Sequence, residues 1–473
     1  MCGVFGIIGH PRAKHFFPTI LQSLQHRGHD SAGVAGFLAE DLRMIETVKG
    51  VGKISNVINE ASLERFQGTT FIGHTRYATR NESGSLREVH PHWAQSMRGR
   101  LVIVTNGDLV NVQELKEIIK KEGIKTYTEN DAELIAALIN IQIRLYDKTI
   151  VQAIQYVMEK AKGGYAAMVL REDDEKLYAF RDPWGIRPLH LGEFVIDGQK
   201  CVGVGSETCS FDIIQRFNLA YYPDKSLSYV HREVRPGEIL SIDSQSNITS
   251  SQYAEAQQGQ IGCVFESIYF ARPDSMQRGE SYQRIRERMG KQLNQESPVE
   301  ADLVTAVPKG GIPSAVGYAK ASGLPYEIAI LEEPSTGGIR SFTTNERDRH
   351  ALATMKYNIL QDVVKGKRLV VVDDSIVRGT TSRLLIKNLF LAGAKEVHLR
   401  IPCPPYNNPC YYGIATKDPK TLISHNRTVS EICEELGATS LAYLSIPGLY
   451  QAIKQDRKYF CDECLSGRKP IDF

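Results

Sequence analysis

The stretch Val370-Val-Val-Asp-Asp-Ser-Ile-Val-Arg-Gly-Thr-Thr-Ser382 decides how the second half of the chain folds. Its valines predict a buried strand, two carboxylates follow the strand, and a Gly-Thr-Thr turn opens a helix. Backbone amides and hydroxyls at the start of such a helix face an anion such as phosphate. Asp373 and Asp374 suit ribose hydroxyls, directly or through a metal ion. A buried strand ending in a solvated turn has the same composition, but adjacent acids followed by a hydroxyl-rich loop favour a sugar phosphate site.

The same order of elements occurs on both sides of this stretch. Leu303–Val307 reads as a strand, and a Gly-rich turn and a helix at Ser314–Ser322 follow it. Arg368–Val372 is the next such strand, and Thr381–Leu391 is its helix. Strand, turn and helix repeated in this way predict a parallel, doubly wound sheet that binds ligands at its strand ends.

The first 240 residues have a different pattern. Short strands with turn signals, such as Leu101–Thr105 before Asn106-Gly107, alternate with amphipathic helices at Val112–Glu122 and Asp131–Leu145. This pattern predicts layered α/β structure. Between Leu240 and Ile261 the sequence is rich in Ser, Gln and Asn and loses apolar periodicity, which is typical of a connection between domains. We therefore expect one domain over 2–245, a second over 260–450, and a C-terminal tail over 451–473.

Composition excludes several classes of protein. The chain has 473 residues, 42% hydrophobic and 24% charged, and a formal net charge of +2, so it is globular and has no uniform field for nucleic acid or an anionic membrane. It has no leader pattern and no run of apolar residues long enough to span a membrane. Nine cysteines in such a chain favour thiol or metal chemistry over disulfides. A cytoplasmic enzyme fits these features best.

Cys2 is a candidate nucleophile. Removal of Met1 would place its thiol beside an α-amino group with a pKa of about 8, which can serve as the base. A buried structural cysteine is the alternative at this position. Enzymes that hydrolyse glutamine also need a cation for the α-carboxylate, an anion for the α-ammonium group and donors for an oxyanion. Arg76, Asp131 and Asn106-Gly107 offer these groups.

Five motifs in the first half resemble the glutaminase domain of the N-terminal nucleophile (Ntn) amidotransferases. They are Cys2-Gly-Val-Phe-Gly-Ile, Gln25-His-Arg-Gly-His-Asp-Ser-Ala-Gly33, His74-Thr-Arg-Tyr, Asn106-Gly-Asp-Leu and Arg181-Asp-Pro-Trp-Gly-Ile-Arg-Pro-Leu189. The resemblance implies an Ntn hydrolase domain with α/β/β/α layers. It further implies that Cys2 attacks the glutamine amide, that Asn106 and Gly107 form the oxyanion hole, and that glutamine is bound by Arg76, Asp131 and His74.

The second half resembles the type I phosphoribosyltransferases through its Val370–Ser382 motif. Phe270-Ala-Arg-Pro-Asp-Ser275 and Ser206-Glu-Thr-Cys209 are similar to the amidophosphoribosyltransferase family in particular. The resemblance implies that ammonia is channelled to phosphoribosyl pyrophosphate, giving 5-phosphoribosylamine for purine synthesis, with Mg²⁺ on Asp373 and Asp374. It also implies purine nucleotide inhibitors and a dimeric or tetrameric homo-oligomer. The expected phosphoribosyl pyrophosphate site comprises Asp373, Asp374, Ser375, Arg378, Gly379, Thr380, Thr381, Lys356 and Lys309.

Cys461-Asp-Glu-Cys464 has the spacing of a metal-ligand pair, although one such pair is a weak signal. One subclass of amidophosphoribosyltransferases carries a 4Fe-4S cluster on four cysteines. The sequence is similar to that subclass at Cys263, Cys410, Cys461 and Cys464, whereas Cys403 lies outside the pattern. Four thiolates suit iron-sulfur or zinc, and the resemblance favours a structural iron-sulfur cluster.

Two segments depart from the family. Val307-Pro-Lys-Gly-Gly311 stands where relatives have Val-Pro-Asp-Ser-Gly, and the acidic Leu331–Gly338 stands where they have a basic loop. We expect the loop Glu332–Thr343 to close over the substrate, with Lys309, Arg340 and Lys356 supplying the positive charge. The departures leave an alternative: a glutaminase whose degenerate transferase half acts as a regulatory or specialised biosynthetic subunit.

Overall fold

The computed structural model describes residues 1–10, 12–38, 44–77, 85–96, 99–128, 130–221, 229–256, 260–333 and 356–471. These residues form two compact units. The first comprises Met1–Gly262 together with Tyr411–Ala415, and the second comprises Cys263–Cys410 together with the chain from Thr416 onward.

The first unit is built on antiparallel strands. They are β1 (Gly3–Ile8), β2 (Ser31–Leu38), β3 (Ile45–Val51), β4 (Phe66–Arg76), β5 (His92–Ser96), β6 (Gly99–Leu109), β7 (Gly163–Arg171), β8 (Asp174–Arg181), β9 (His190–Ile196), β10 (Gln199–Gly205), β11 (Val230–Glu233), β12 (Glu238–Ile242) and β13 (Ile248–Gln252). One sheet has the order β11-β9-β10-β1-β4-β2-β3 and the other the order β13-β12-β8-β7-β6-β5.

Helices cover the outer face of each sheet. They are α1 (Ala13–Ser23), α2 (Ile54–Val57), α3 (Glu60–Leu63), α4 (Val112–Lys121), α5 (Asp131–Leu145), α6 (Ile150–Lys160) and α7 (Cys209–Tyr221). Phenylalanines of α1, α7 and the first sheet form one core, and α5 and α6 form another with the second sheet. Small and branched side chains of both sheets form a third core between them. The layers therefore run helix, sheet, sheet, helix, which confirms the predicted α/β/β/α arrangement.

The second unit contains a parallel sheet. Its strands are β14 (Gly262–Cys263), β15 (Met276–Gln277), β16 (Glu280–Ser281), β17 (Leu303–Ala306), β18 (Ile330–Glu332), β19 (Tyr357–Ile359), β20 (Arg368–Val372), β21 (Glu396–Ile401), β22 (Ser440–Tyr443) and β23 (Phe460–Cys461). Strands β17, β20, β21 and β22 lie side by side in that order, and each pairs in parallel with the next. The three valines and the leucine of β20 are flanked by strands on both sides, which explains their nearly complete burial.

The helices of the second unit connect these strands. They are α8 (Tyr282–Glu296), α9 (Ile312–Ser322), α10 (Gln361–Val364), α11 (Thr380–Leu391), α12 (Val429–Leu436), α13 (Ile446–Ile453) and α14 (Glu463–Ser466). Helix α9 follows β17, and α11 follows β20, as the strand, turn and helix pattern predicts. The sheet is thus the parallel phosphoribosyltransferase-type sheet expected from the sequence.

The first unit extends beyond residue 245, where the sequence predicts a connection. The polar stretch contains β13, which is the edge strand of its sheet and pairs with β12, from Glu238 opposite Gln252 to Ile242 opposite Ile248. An edge strand with solvent on one side can be built from Ser, Thr and Gln, so its residues lack apolar periodicity. Residues 451–471, predicted as a separate tail, cluster with the second unit.

No helix in the described ranges combines the length and apolar character that crossing a bilayer requires.

Candidate active sites

Cys2 precedes β1, a strand in the interior of the first sheet. Gly3 of β1 is paired with Thr75 of β4, which brings the nucleophile beside the end of β4. The backbone N–H of Cys2 donates to Asn106 Oδ1 at 3.1 Å, and its Sγ lies 3.8 Å from the Tyr77 carbonyl oxygen. The thiol is only partly exposed. The structure therefore brings Cys2 and Asn106 together across the interface of the two sheets.

The side-chain oxygen of Asn106 is hydrogen-bonded, whereas its side-chain nitrogen is not, within the part of the chain that the structure describes. Its Oδ1 accepts from Cys2, whereas its Nδ2 is buried without a hydrogen-bond partner among the described residues. Gly107 follows on β6, where an added Cβ would lie 2.0 Å from the Gly164 carbonyl oxygen. Only glycine permits this close pairing of β6 with β7. A buried donor without a partner beside a nucleophile is what an oxyanion hole requires.

Arg76 ends a strand and Asp131 begins a helix. Arg76 is the last residue of β4 and is 8% exposed, and its Nη1 has no hydrogen-bond partner within the described part of the chain. Asp131 is the first residue of α5, and its Oδ2 accepts from the Leu109 N–H at 2.8 Å. A buried guanidinium with an unused donor suits a carboxylate ligand.

His74 lies deeper than the sequence motif indicates. Its ring is fully buried, and its Nε2 donates to the Thr105 carbonyl oxygen at 2.9 Å. Burial lowers the pKa of this imidazole to about 3, so it is neutral at neutral pH. The ring therefore supports the strand that carries Asn106.

Three polar residues near Cys2 were given no role by the sequence analysis, although they lie in motifs that it quotes: His26, Arg27 and Glu207. Arg27 is buried, and its Nε donates to the Cys2 carbonyl oxygen at 2.9 Å. The buried Glu207 carboxylate forms an ion pair with Arg27 and accepts from His26 Nε2 at 2.8 Å. Arg27 lies within the Gln25–Gly33 motif and Glu207 within the Ser206–Cys209 motif, and these were the available signals, but the pairing of the two residues depends on the fold. These contacts fix the backbone on which the nucleophile is carried.

The second site lies where β20 ends. The Asp374 N–H donates to Asp373 Oδ1 at 2.9 Å, and Ser375 Oγ donates to Asp374 Oδ1 at 2.7 Å. Burial raises the pKa of both carboxyl groups, and the neighbouring Asp374 raises that of Asp373 further. Two adjacent carboxylates that are costly to ionise together are suited to bind a cation or ribose hydroxyls.

The turn after these acids leads into α11. Gly379 has a φ of +74°, and an added Cβ would lie 2.2 Å from Ile423 Cδ1, so this position requires glycine. Thr380 and Thr381 form the first turn of α11, and Arg378 is exposed beside them. The start of α11 and these hydroxyls therefore offer donors to a phosphate.

Lys356 lies close enough to Asp373 and Asp374 to interact with their charges. Lys356 contributes positive charge to both Asp373 and Asp374, and its Nζ lies 4.9 Å from the centre of the Tyr357 ring. Tyr357, which sequence reasoning missed, is buried, and its hydroxyl donates to the Pro308 carbonyl oxygen at 3.4 Å.

Lys309 lies on the adjacent turn and is 85% exposed. Its Nζ is 3.8 Å from Glu332 Oε2. The two residues that differ in charge from the family pattern therefore face each other. An added Cβ on Gly310 would lie 1.8 Å from Asp374 Oδ2, which shows how closely this turn approaches the carboxylates. The expected loop beyond Glu333, including Arg340 and Thr343, falls outside the described residues.

The cysteines converge in the second unit. Strand β14, with Cys263, pairs with β23, with Cys461. Burial raises the pKa of the Cys464 thiol, and Cys410, Cys263 and Cys461 raise it further through their charge. All four are at most 7% exposed.

Cys403 is also buried, and its Sγ donates to the Pro404 carbonyl oxygen at 3.1 Å. Within the ranges the structure describes, no group of three or more His, Cys, Asp or Glu side chains is arranged to hold a single metal ion.

Comparisons with known proteins agree with this fold. The family model described as "Glutamine amidotransferase domain" matches residues 83–212. The amidophosphoribosyltransferase of Methanothermobacter thermautotrophicus is 38% identical over 99% of this chain and 94% of its own length. A solved structure of the allosteric regulatory enzyme of purine biosynthesis has a TM-score of 0.87 and 37% identity, and the match covers 99% of this chain and 96% of that one.

The glutamine phosphoribosylpyrophosphate amidotransferase of Bacillus subtilis, complexed with ADP and GMP, has a TM-score of 0.86 and 37% identity, over 99% of this chain and 97% of that one. Fold and site together define a glutamine amidotransferase joined to a phosphoribosyltransferase-type sheet. The chain belongs to the amidophosphoribosyltransferase family.

Proposed function

We propose that this protein transfers ammonia from glutamine to phosphoribosyl pyrophosphate, giving 5-phosphoribosylamine, glutamate and pyrophosphate. The observation that carries the proposal is the contact of Cys2 with Asn106, whose Nδ2 is left as a buried donor. The paired acids Asp373 and Asp374, ahead of the first turn of α11, support the second half of the reaction.

The glutaminase half uses groups of the first unit. After removal of Met1, the α-amino group of Cys2 accepts the thiol proton, and the sulfur attacks the side-chain amide carbon of glutamine. Asn106 Nδ2 and the Gly107 amide stabilise the oxyanion, while Arg76 binds the α-carboxylate and Asp131 the α-ammonium group. Collapse of the tetrahedral intermediate releases ammonia and leaves a thioester, which water hydrolyses to glutamate.

The transfer half uses groups of the second unit. The hydroxyls of Thr380 and Thr381, the Gly379 turn and the amides of α11 bind the 5-phosphate. Asp373 and Asp374 hold the ribose hydroxyls, and Ser375, Arg378 and Lys356 complete the site. Ammonia attacks ribose C1 from the face opposite the pyrophosphate, so the C1–O bond breaks as the C1–N bond forms and configuration inverts. Mg²⁺, held near Asp373 and Asp374, would neutralise the leaving pyrophosphate.

The thiols of Cys263, Cys410, Cys461 and Cys464 fit a 4Fe-4S cluster as a donor set. They are buried and mutually repulsive once ionised, and a cationic group between them would remove that cost. We infer a structural role, because none of these four cysteines is assigned to glutamine or phosphoribosyl pyrophosphate chemistry.

Purine nucleotides are proposed as regulators, because the B. subtilis relative was solved with ADP and GMP. We further propose a homo-oligomer, a dimer or tetramer, in the cytoplasm.

One assay tests the function directly. Release of glutamate and of pyrophosphate is measured with glutamine, in the presence and absence of phosphoribosyl pyrophosphate. Release of both products only when both substrates are present supports the proposed enzyme. Glutamate release without any pyrophosphate at any substrate concentration would instead favour the alternative, a glutaminase with a degenerate transferase half. That alternative is motivated by Lys309 and the acidic Glu332 and Glu333.

Lys309→Asp is expected to weaken binding of phosphoribosyl pyrophosphate, although it restores the residue common in relatives. Lys309 Nζ lies 3.8 Å from Glu332, so the substitution would place two acids where a polyanion binds. We expect a loss of about tenfold in affinity by calorimetry, since one charge-assisted contact is replaced by repulsion.

Lys320→Asp is the matched control for Lys309→Asp. Lys320 lies at the end of α9, is 67% exposed and also pairs with a glutamate, Glu287. It should leave binding within about twofold of the native value. Tighter binding by Lys309→Asp would overturn the idea that Lys309 compensates for the acidic loop.

A further inference from the structure

Glu88 lies between the two residues assigned to hold glutamine. It ends the short turn Leu86–Glu88, and its side chain is buried. Its Oε2 is 3.6 Å from Arg76 Nη2, and both side chains are less than a tenth exposed. This distance is that of an ion pair without a strong hydrogen bond, so the contact orients the guanidinium mainly through charge.

The backbone of Glu88 contacts the start of α5, where Asp131 lies. The Glu88 carbonyl oxygen accepts from Asn130 Nδ2 at 3.2 Å. Asn130 caps α5, because its Oδ1 accepts from the Ala132 N–H at 3.0 Å, and Asp131 is the first residue of that helix. A single turn therefore contacts Arg76 directly and Asp131 through its neighbour in the chain.

The two terminal nitrogens of the Arg76 guanidinium have different surroundings. Its Nη2 faces Glu88, whereas its Nη1 is buried without a hydrogen-bond partner in the described part of the chain. A buried donor of this kind is costly unless a ligand satisfies it. The ion pair with Glu88 therefore leaves one defined face of the guanidinium for an incoming anion.

Three histidines near Arg76 carry no charge at neutral pH. His74 and His90 are stacked with 3.9 Å between their ring centres, and His92 meets His90 edge to face. Burial lowers the pKa of each ring, to about 3 for His74 and His92, so all three are neutral at neutral pH.

Lys49 is a second cation near Glu88. Its Nζ donates to the carbonyl oxygens of Val89 and Pro91, next to Glu88 in the chain. Among the described residues, Glu88 interacts with two cations, Lys49 and Arg76, so it does not fully neutralise Arg76.

We propose that Glu88 is a positioning residue that aims Arg76 Nη1 at the α-carboxylate of glutamine and holds the start of α5 in register with it. The inference rests on the proposed assignment of Arg76 and Asp131 to glutamine. Glu88 itself does not contact the reacting atoms.

Kinetics of Glu88→Ala and Glu88→Gln test the proposal in the full-length protein. Glu88→Ala should raise KM for glutamine by about tenfold while kcat changes by less than about threefold, since ground-state placement is lost and the chemistry of Cys2 is kept. Glu88→Gln keeps the shape of the side chain but removes its charge, so it should raise KM nearly as much as Glu88→Ala. Glu238→Ala is the control, because Glu238 is also a buried carboxylate paired with an arginine, 2.7 Å from Arg232, and it should leave KM unchanged.

Two further readouts separate positioning from a general structural role. The preference for glutamine over glutamine α-amide, which lacks the carboxylate, should narrow about tenfold in Glu88→Ala. Alkylation of Cys2 by iodoacetamide, followed by mass spectrometry, should keep its native rate because this reagent carries no carboxylate.

An unchanged KM in Glu88→Ala, or a parallel loss of iodoacetamide reactivity, would overturn the inference. Absence of glutamate release by the native protein would instead overturn the proposed function.

Discussion

Replacement of Cys2 by Ala is expected to reduce glutamine-dependent synthesis by about 1,000-fold or more, because the attacking sulfur is removed. Synthesis from free ammonia should continue, since the phosphoribosyl site belongs to the other compact unit. The two activities are measured as pyrophosphate release with glutamine or with an ammonium salt as the nitrogen source. A difference between the two nitrogen sources is the signature of two separate sites.

Cys201→Ala provides the control for this substitution. Cys201 lies on β10 in the same unit, is fully buried, and has a pKa that burial raises to about 12, so its thiol stays protonated. Its replacement should keep both activities. A comparable fall of glutamine-dependent and ammonia-dependent synthesis in Cys2→Ala would contradict the two-site interpretation.

Cys410→Ser is expected to remove bound iron and to destabilise the second unit. Protein purified without oxygen should be brown, with about four iron and four sulfide per chain. A cluster on Cys263 and Cys461 closes a long loop, and its loss should lower the melting temperature by on the order of 5 °C or more. Iron and sulfide analysis, visible absorption and thermal unfolding measure these effects.

Cys403→Ser separates the cluster from a general need for buried thiols. Cys403 is 1% exposed, and its Sγ already donates to the Pro404 carbonyl oxygen, so a serine hydroxyl can make the same bond. This variant should keep its iron. Colourless protein that contains zinc, or equal loss of iron in both variants, would refute the proposed cluster.

Local patterns predicted the regular elements well. The helix predicted at Asp131–Leu145 has those bounds in the structure, and so has the strand Arg368–Val372. Both are decided by nearby residues: α5 by its Asn130 cap and its long apolar sequence, and β20 by consecutive valines buried in a parallel sheet. The order of strands, turns and helices could therefore be predicted without tertiary information.

Ion pairs between residues that are distant in sequence could not be predicted. The pairs Glu207 with Arg27, and Glu88 with Arg76, join residues that only folding brings together. A lone glutamate in a sequence reads as a solvated surface charge, because nothing local marks it as buried. Lys309 was noticed as a departure, but its contact with Glu332 required the turn and β18 to lie side by side. Sequence motifs thus gave the chemical groups, and the fold gave the residues that orient them.

Pairing of β14 with β23 joins residues from opposite ends of the second unit. A ribosome that adds 5 to 20 residues per second finishes Cys461 roughly 10 to 40 s after Cys263. Throughout that interval Cys263 lacks the strand that β14 pairs with in the folded protein, so its thiol is open to oxidation. Assembly of this region is therefore a post-translational event, and heterologous production should give more intact protein at low aeration than at high aeration.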